Sequence, residues 1–177
     1  MAIKKKKKFF EIELPLINKS SALYSYDLQS LNNRYIAYDL TRALRGKGLE
    51  IKFKVIVENN QIRSVPRQLR LVSYFLRRMI RKGTNYVEDS FSIKCKDAQL
   101  RVKPFLITRK KVSRAVRNAL RIKAKEEISN YIEKKDVNQI FDDILKNKLQ
   151  KELSLKLKKI YPLSLCEIRV IKIEKDI

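Results

Sequence analysis

The sequence predicts an α+β fold: a mainly antiparallel sheet, or a partly closed β-barrel, with packed α-helices. Three observations carry this. Apolar residues alternate with polar ones at Phe10–Leu14 and again at Ile51–Val57, which is the period of a half-buried strand. Farther along, apolar residues recur at i, i+3, i+4, i+7 and i+8, which is one face of a helix. Only 3 glycines and 4 prolines interrupt 177 residues, so a chain of regular elements is expected.

Taken in order, Phe10, Ile12 and Leu14 alternate with Glu11 and Glu13 as a first strand. Tyr35–Leu40 is apolar on both faces and reads as a central strand. Gly46 and Gly48 mark a turn, and Ile51, Phe53, Val55 and Val57 form the next strand. Asn59-Asn60 reads as a turn, with Gln61–Val65 pairing back. Pro66, which has no N–H, points to that strand's end or to a sheet edge. Val72, Phe75, Leu76, Met79 and Ile80 define a helix, with Gly83 as its C-terminal cap. Phe91–Cys95 and Leu100–Lys103 form a hairpin, with Cys95 in the core. A further helix follows, capped by Ser113, with Val112, Val116, Ala119 and Leu120 on its inner face. Another begins after Asp136 with the face Val137, Ile140, Phe141, Ile144 and Leu145. A third carries Leu149, Leu153, Leu157 and Ile160 and is stopped by Pro162. Cys166–Ile173 is a last strand, apolar on both sides and therefore interior. The simplest organisation is a basic arm over residues 1–8 and a single domain over 9–177.

Charge narrows the function. Lysine and arginine total 42 against 19 acidic residues, a formal net charge of +23 with no histidine. A small domain usually carries a charge of magnitude about 2–8, so a polyanionic partner is implied. The excess is localised: residues 1–125 hold 31 basic and 9 acidic residues, and residues 126–177 hold 11 and 10. Three runs stand out. Lys4, Lys5, Lys6, Lys7 and Lys8 form an extended basic arm. Arg63–Lys82 includes Arg77, Arg78 and Arg81, set off the apolar helix face. Arg101–Lys125 includes Arg109, Lys110 and Lys111, then Arg114, Arg117 and Arg121 spaced as one helical stripe. Arginine's planar fork suits phosphate and base stacking.

Catalytic constellations are missing. Without histidine there is no histidine base, triad or metal ligand. Asp142-Asp143 and Glu126-Glu127 are adjacent pairs, and neighbours on a helix diverge by about 100°, so neither makes a metal cluster. Gly46-Lys47-Gly48 is no phosphate-binding loop. Neither a cofactor nor a small-molecule substrate is expected, nor catalytic residues. The two cysteines, Cys95 and Cys166, suggest no disulfide framework. Charges interrupt every apolar window, so no membrane span is expected. Phe9–Pro15 is too short and acidic for a signal-peptide core. Tyr24, Tyr26, Tyr35 and Tyr38 could stack on bases, but aromatics on alternating strands are more often core, and that reading is favoured.

Several segments in order resemble a known family. Lys159-Ile160-Tyr161-Pro162-Leu163 followed by Glu167-Ile168-Arg169 is one. Leu100-Arg101-Val102-Lys103 leading to Thr108-Arg109-Lys110-Lys111 is a second. Leu31-Asn32-Asn33-Arg34 through Leu40, and Lys8-Phe9-Phe10 with Pro15, are two more. They are similar to the small-ribosomal-subunit protein family shared by archaea and eukaryotes, the eS-one (S-three-Ae) family. Asn33 stands where that family has glycine, and Asp97-Ala98-Gln99 where it has an Asp-Gly-Tyr turn. The resemblance implies a non-enzymatic, cytoplasmic, ribosome-bound protein. It implies contact with small-subunit rRNA and neighbouring ribosomal proteins, on the platform near the mRNA exit and the rRNA 3′ end. The alternative left open is a free RNA-binding protein or RNA-processing factor.

Overall fold

The computed structural model describes residues 6–58 and 61–176. Lys4, Lys5 and the Asn59-Asn60 turn lie outside them. The elements are β1 (Lys8–Leu14), β2 (Lys19–Ser25), β3 (Tyr35–Asp39), β4 (Leu49–Glu58), β5 (Gln61–Leu71), α1 (Ser73–Met79), β6 (Tyr86–Glu88), β7 (Phe91–Lys94), β8 (Ala98–Thr108), α2 (Arg114–Ile132), α3 (Val137–Leu145), α4 (Lys148–Leu157) and β9 (Leu163–Asp176). The class is α+β, with antiparallel pairing and no closed barrel among the described residues. The described residues form two compact units: 6–38 with 51–58 and 61–67, and 39–50 with 68–176.

In the first unit, β1 and β2 form an antiparallel hairpin in which Phe9 lies opposite Tyr24 and Leu14 opposite Lys19. The alternation read from sequence is real: Ile12 and Leu14 are buried, whereas Glu11 and Glu13 are exposed. The Ser64 hydroxyl donates to the Glu13 carbonyl at 2.6 Å, tying β5 to the hairpin. Leu31, Ile36, Ile51, Phe53 and Val55 supply further buried side chains. β3 is not central. It ends the strand order, its one strand neighbour among the described residues is β4, and Tyr35 is 63% exposed. Apolar character on both faces here reflects an exposed tyrosine rather than double burial. Asn33 has φ +63°. That is the left-handed region, which asparagine enters more readily than other side chains, so asparagine can stand where the family's glycine does.

The second unit holds a sheet in which β9 lies between β5 and β8. Gln68–Arg70 pair with Val170–Lys172, and β8 pairs with β9 along its whole length, with register shifts at Gln99/Leu100, Lys103/Pro104 and Ile107/Thr108. β7 and β6 pair in succession along the other side of β8. The interior position expected for β9 and the Phe91–Lys103 hairpin are both present. β5 does not end at Pro66. It continues to Leu71, and its pairing with β9 covers Gln68–Arg70, beyond the proline.

Helices α2 and α4 pack on this sheet, α2 against β6 and β7 and α4 against β9, with α3 packed on α4. The α2 inner face is Leu120, Ala124, Ile128 and Ile132; Ala119, expected there, is exposed. α3 buries Val137, Ile140, Phe141 and Ile144 as expected. Asp136 occupies the N-cap position without capping by its side chain, which lies 3.4 Å from Lys96 Nζ. α4 ends at Leu157, so Ile160 falls beyond it and is 38% exposed. α1 is also shorter than its apolar spacing suggests. Ile80 has ψ 121° and ends the helix, leaving Gly83 (φ +87°) in a separate turn rather than as the cap.

Gly46 adopts φ +88° with nothing within 4 Å of an added Cβ. Its need for glycine is therefore conformational. Gly46→Ala is expected to cost about 1 kcal/mol, read as a lowered thermal midpoint. An unchanged midpoint would mean that the turn relaxes without penalty.

Candidate nucleic-acid interface

The basic stripe is set by the start of α2. Ser113 caps the helix, its Oγ accepting from the Val116 N–H. Upstream, a polar clamp fixes the loop that leads in. Thr108 is fully buried; its hydroxyl accepts from the Asn85 N–H at 3.0 Å and lies 2.7 Å from the Lys110 carbonyl. The Asn85 side-chain oxygen accepts from the Val112 N–H at 2.8 Å. Arg109, Lys110 and Lys111 are exposed in this clamped loop, ahead of the helix rather than on it. Thr108 and Asn85 escaped that reading because their partnership spans 23 residues and carries no local pattern.

Arg114, Arg117 and Arg121 do form one exposed stripe. With Ala115, Asn118 and β6 residues Tyr86, Val87 and Glu88, they line an open cleft of about 670 Å³. Tyr86, 53% exposed, stacks on Phe105 at 6.0 Å between centroids and lines the cleft. No carboxylate among the described residues pairs with the three arginines. The cleft's one acid, Glu88, is taken by Arg169, whose guanidinium donates to both oxygens at 3.0 Å. The cleft is therefore cationic, and the amino end of α2 adds its positive dipole.

Farther along α2 the charges are internally compensated. Lys123 reaches Glu126 at 3.1 Å and Glu127 at 3.3 Å, and Lys156 of α4 reaches Glu127 at 2.6 Å. Hydrogen bonding to Lys156 outweighs burial and holds the Glu127 carboxyl below its ordinary range. The Asp142-Asp143 pair is likewise engaged by lysines, Asp142 by Lys146 at 2.6 Å and Asp143 by Lys135 at 2.6 Å. Both acidic pairs are thus parts of ion pairs.

Arg77 and Arg78 are exposed on α1; Arg81 is exposed in the turn beyond it, not on the helix. Lys6 and Lys7 precede β1, which Lys8 opens, and all three are exposed. The structure does not show the tyrosines Tyr24, Tyr26 and Tyr35 as core. They are 51%, 53% and 63% exposed: Tyr24 lies on the solvent side of the β1–β2 hairpin, Tyr26 just follows β2, and Tyr35 opens β3 at the end of the strand order. Cys95 is core as expected. Burial, then the charge of Glu167, push the Cys166 thiol up to about 12, so it stays protonated at neutral pH. No described helix is long and apolar enough to cross a membrane.

Comparison with known proteins gives this surface a context. The Ribosomal S3Ae family profile matches residues 4–176. The chain belongs to this family. Relatives named small ribosomal subunit protein eS1 include that of Pyrobaculum neutrophilum, 28% identical over 77% of this chain and 62% of the relative. That of Saccharolobus islandicus is 29% identical over 97% of this chain and 86% of the relative. That of Sulfolobus acidocaldarius is 25% identical over 97% and 91%. The chain spans less than two thirds of the length of the Pyrobaculum relatives it matches. Membership of this family accounts for the resemblance seen in the residues themselves.

Proposed function

We propose that the chain is a structural, non-catalytic RNA-binding component of the small ribosomal subunit. The observation that carries this is the uncompensated arginine stripe, Arg114, Arg117 and Arg121, lining an open cleft beside Tyr86. An exposed, cationic cleft suits a phosphate backbone. An enzyme would need converging acids or a nucleophile, and the acidic pairs here are occupied by lysines. Arg109, Lys110 and Lys111, Arg77, Arg78 and Arg81, and the Lys4–Lys8 arm are proposed as further phosphate contacts. Each releases counterions on binding. Recognition is by shape and backbone more than by base sequence. The family implies cytoplasmic, ribosome-bound protein on the platform, near the mRNA exit and the 3′ end of the small-subunit rRNA, with ribosomal proteins as neighbours.

The test is sedimentation of a tagged copy through sucrose gradients across a salt series. One copy per small subunit, retained through moderate salt and released only at high salt, is the expected result. Presence only in light fractions, or release at mild salt, would overturn it in favour of a free RNA-binding protein.

A further inference from the structure

A second surface, on the β1–β2 hairpin, has the chemistry of a base-stacking platform. Phe9, Tyr24 and Tyr26 are 72%, 51% and 53% exposed. Phe9 and Tyr24 are directly opposed across the two strands, with ring centroids 4.7 Å apart and planes at 37°. Lys7 Nζ lies 5.4 Å from the Tyr24 centroid and 5.0 Å from that of Tyr26, so the cation sits between the two rings. Tyr24 contacts Phe9 and shares Lys7 with Tyr26, yet each of the three rings stays more than half exposed. Burying them in the unit's core would instead be the usual outcome for such side chains.

We infer that Phe9, Tyr24 and Tyr26 stack on unpaired bases of single-stranded RNA, with Lys7 holding the adjoining phosphate. This rests on the RNA-binding reading above and extends it to a separate mode of contact. The strand pattern favours this occupant. Aromatic rings and lysine occupy one end of the exposed face, while Glu11, opposite Ala22, and Glu13, opposite Ser20, occupy the other. A flat anionic membrane would meet both carboxylates. A single strand can lay a base or two on the rings and turn away before reaching them. Stacking is tolerant of sequence because every base has a π face. A duplex hides those faces, so the platform discriminates single strands from duplexes, which the arginine cleft does not.

The test compares two labelled probes by fluorescence anisotropy: single-stranded oligouridylate of about twelve nucleotides and an RNA duplex of the same length. The variant is Phe9→Thr with Tyr24→Thr and Tyr26→Thr, threonine being chosen because it keeps β-preference. The expected result is an affinity for the single strand lowered about tenfold or more, with duplex affinity unchanged. Unchanged single-strand affinity in the folded variant would overturn the inference and leave the RNA reading standing. Failure of the wild-type chain to bind either probe would overturn both. Should the variant not fold, photo-crosslinking of thiouridine-containing RNA to the wild-type chain decides. Adducts on Phe9, Tyr24 or Tyr26 support the platform; adducts confined to other residues overturn it.

Discussion

Reversing Arg114 and Arg117 to glutamate is expected to weaken binding to small-subunit rRNA by about a hundredfold or more. A hydrogen bond to a charged group contributes roughly 1.5–3 kcal/mol, so losing two such contacts removes at least about 3 kcal/mol. The introduced carboxylates add repulsion. The dependence of log K on log salt should flatten by about 2, since each lost phosphate contact lowers the slope by about 1. The fold should survive. Both side chains are exposed, neither pairs with a carboxylate among the described residues, and the α2 core face is Leu120, Ala124, Ile128 and Ile132. Filter binding across a salt series, with a thermal melt beside it, checks this. Unchanged affinity and slope in a folded double variant would remove the stripe from the RNA interface. A variant that melts far below the wild type would show that the stripe supports the fold.

Asp143→Ala is expected to destabilise the second unit by about 2–3 kcal/mol. Asp143 is the one acidic residue buried among the described residues, its side chain 10% exposed. It accepts from Lys135 at 2.6 Å and from the Tyr131 hydroxyl at 2.9 Å, with Lys148 at 3.6 Å. These partners come from α2, the loop after it, and α4, so one carboxylate joins the helix that bears the arginine stripe to its neighbours. Burial pushes the Asp143 carboxyl up, but the hydrogen bonds from Lys135 and Tyr131 outweigh it and hold the pKa below its ordinary value. A carboxyl depressed on folding stabilises above its unfolded pKa, and that contribution disappears as pH falls through the folded value. Lys135 moves the other way. Burial lowers it, yet Asp143 and Tyr131 raise it above its ordinary value, so its share persists below the ordinary lysine pKa and is lost only in strong alkali. Urea melts at several pH values should therefore show a constant gap between wild type and Asp143→Ala near neutrality, closing in acid. A gap that stays constant into acid would mean that the carboxylate's charge is not what stabilises this layer.

The parts of the fold legible in sequence are those set by local period. The β4 alternation and the α3 face are examples: Ile51, Phe53 and Val55 are fully buried, as are Ile140 and Phe141. Where a helix stops was less legible. Ile80 keeps the apolar spacing of α1 but is extended, because the period cannot distinguish one more turn from a turn leading away. Alternation also tells which residues share a face without telling whether that face is covered. That is why Tyr24 and Tyr26 read as core and are exposed, and why β3 read as interior and lies at the end of the strand order. The arginine stripe was legible because its spacing is helical. The clamp that delivers it, Asn85 with Thr108, was not, since it joins segments far apart in sequence by backbone and side-chain hydrogen bonds.

The position of β9 also bears on how the chain is made. Arg70 pairs with Val170, so two adjacent strands of the second unit are separated by 100 residues of chain. A ribosome makes the amino-terminal side first, at about 5–20 residues per second. β5 and β8 are then complete while the strand that joins them is still unmade. For that interval each shows an unsatisfied backbone edge, and the arginine-rich helix has emerged with no finished sheet beneath it. Such a nascent polycation is exposed to aggregation and to indiscriminate capture by any nearby polyanion. Vectorial synthesis thus leaves the pairing of this sheet to be completed late, by the insertion of one strand.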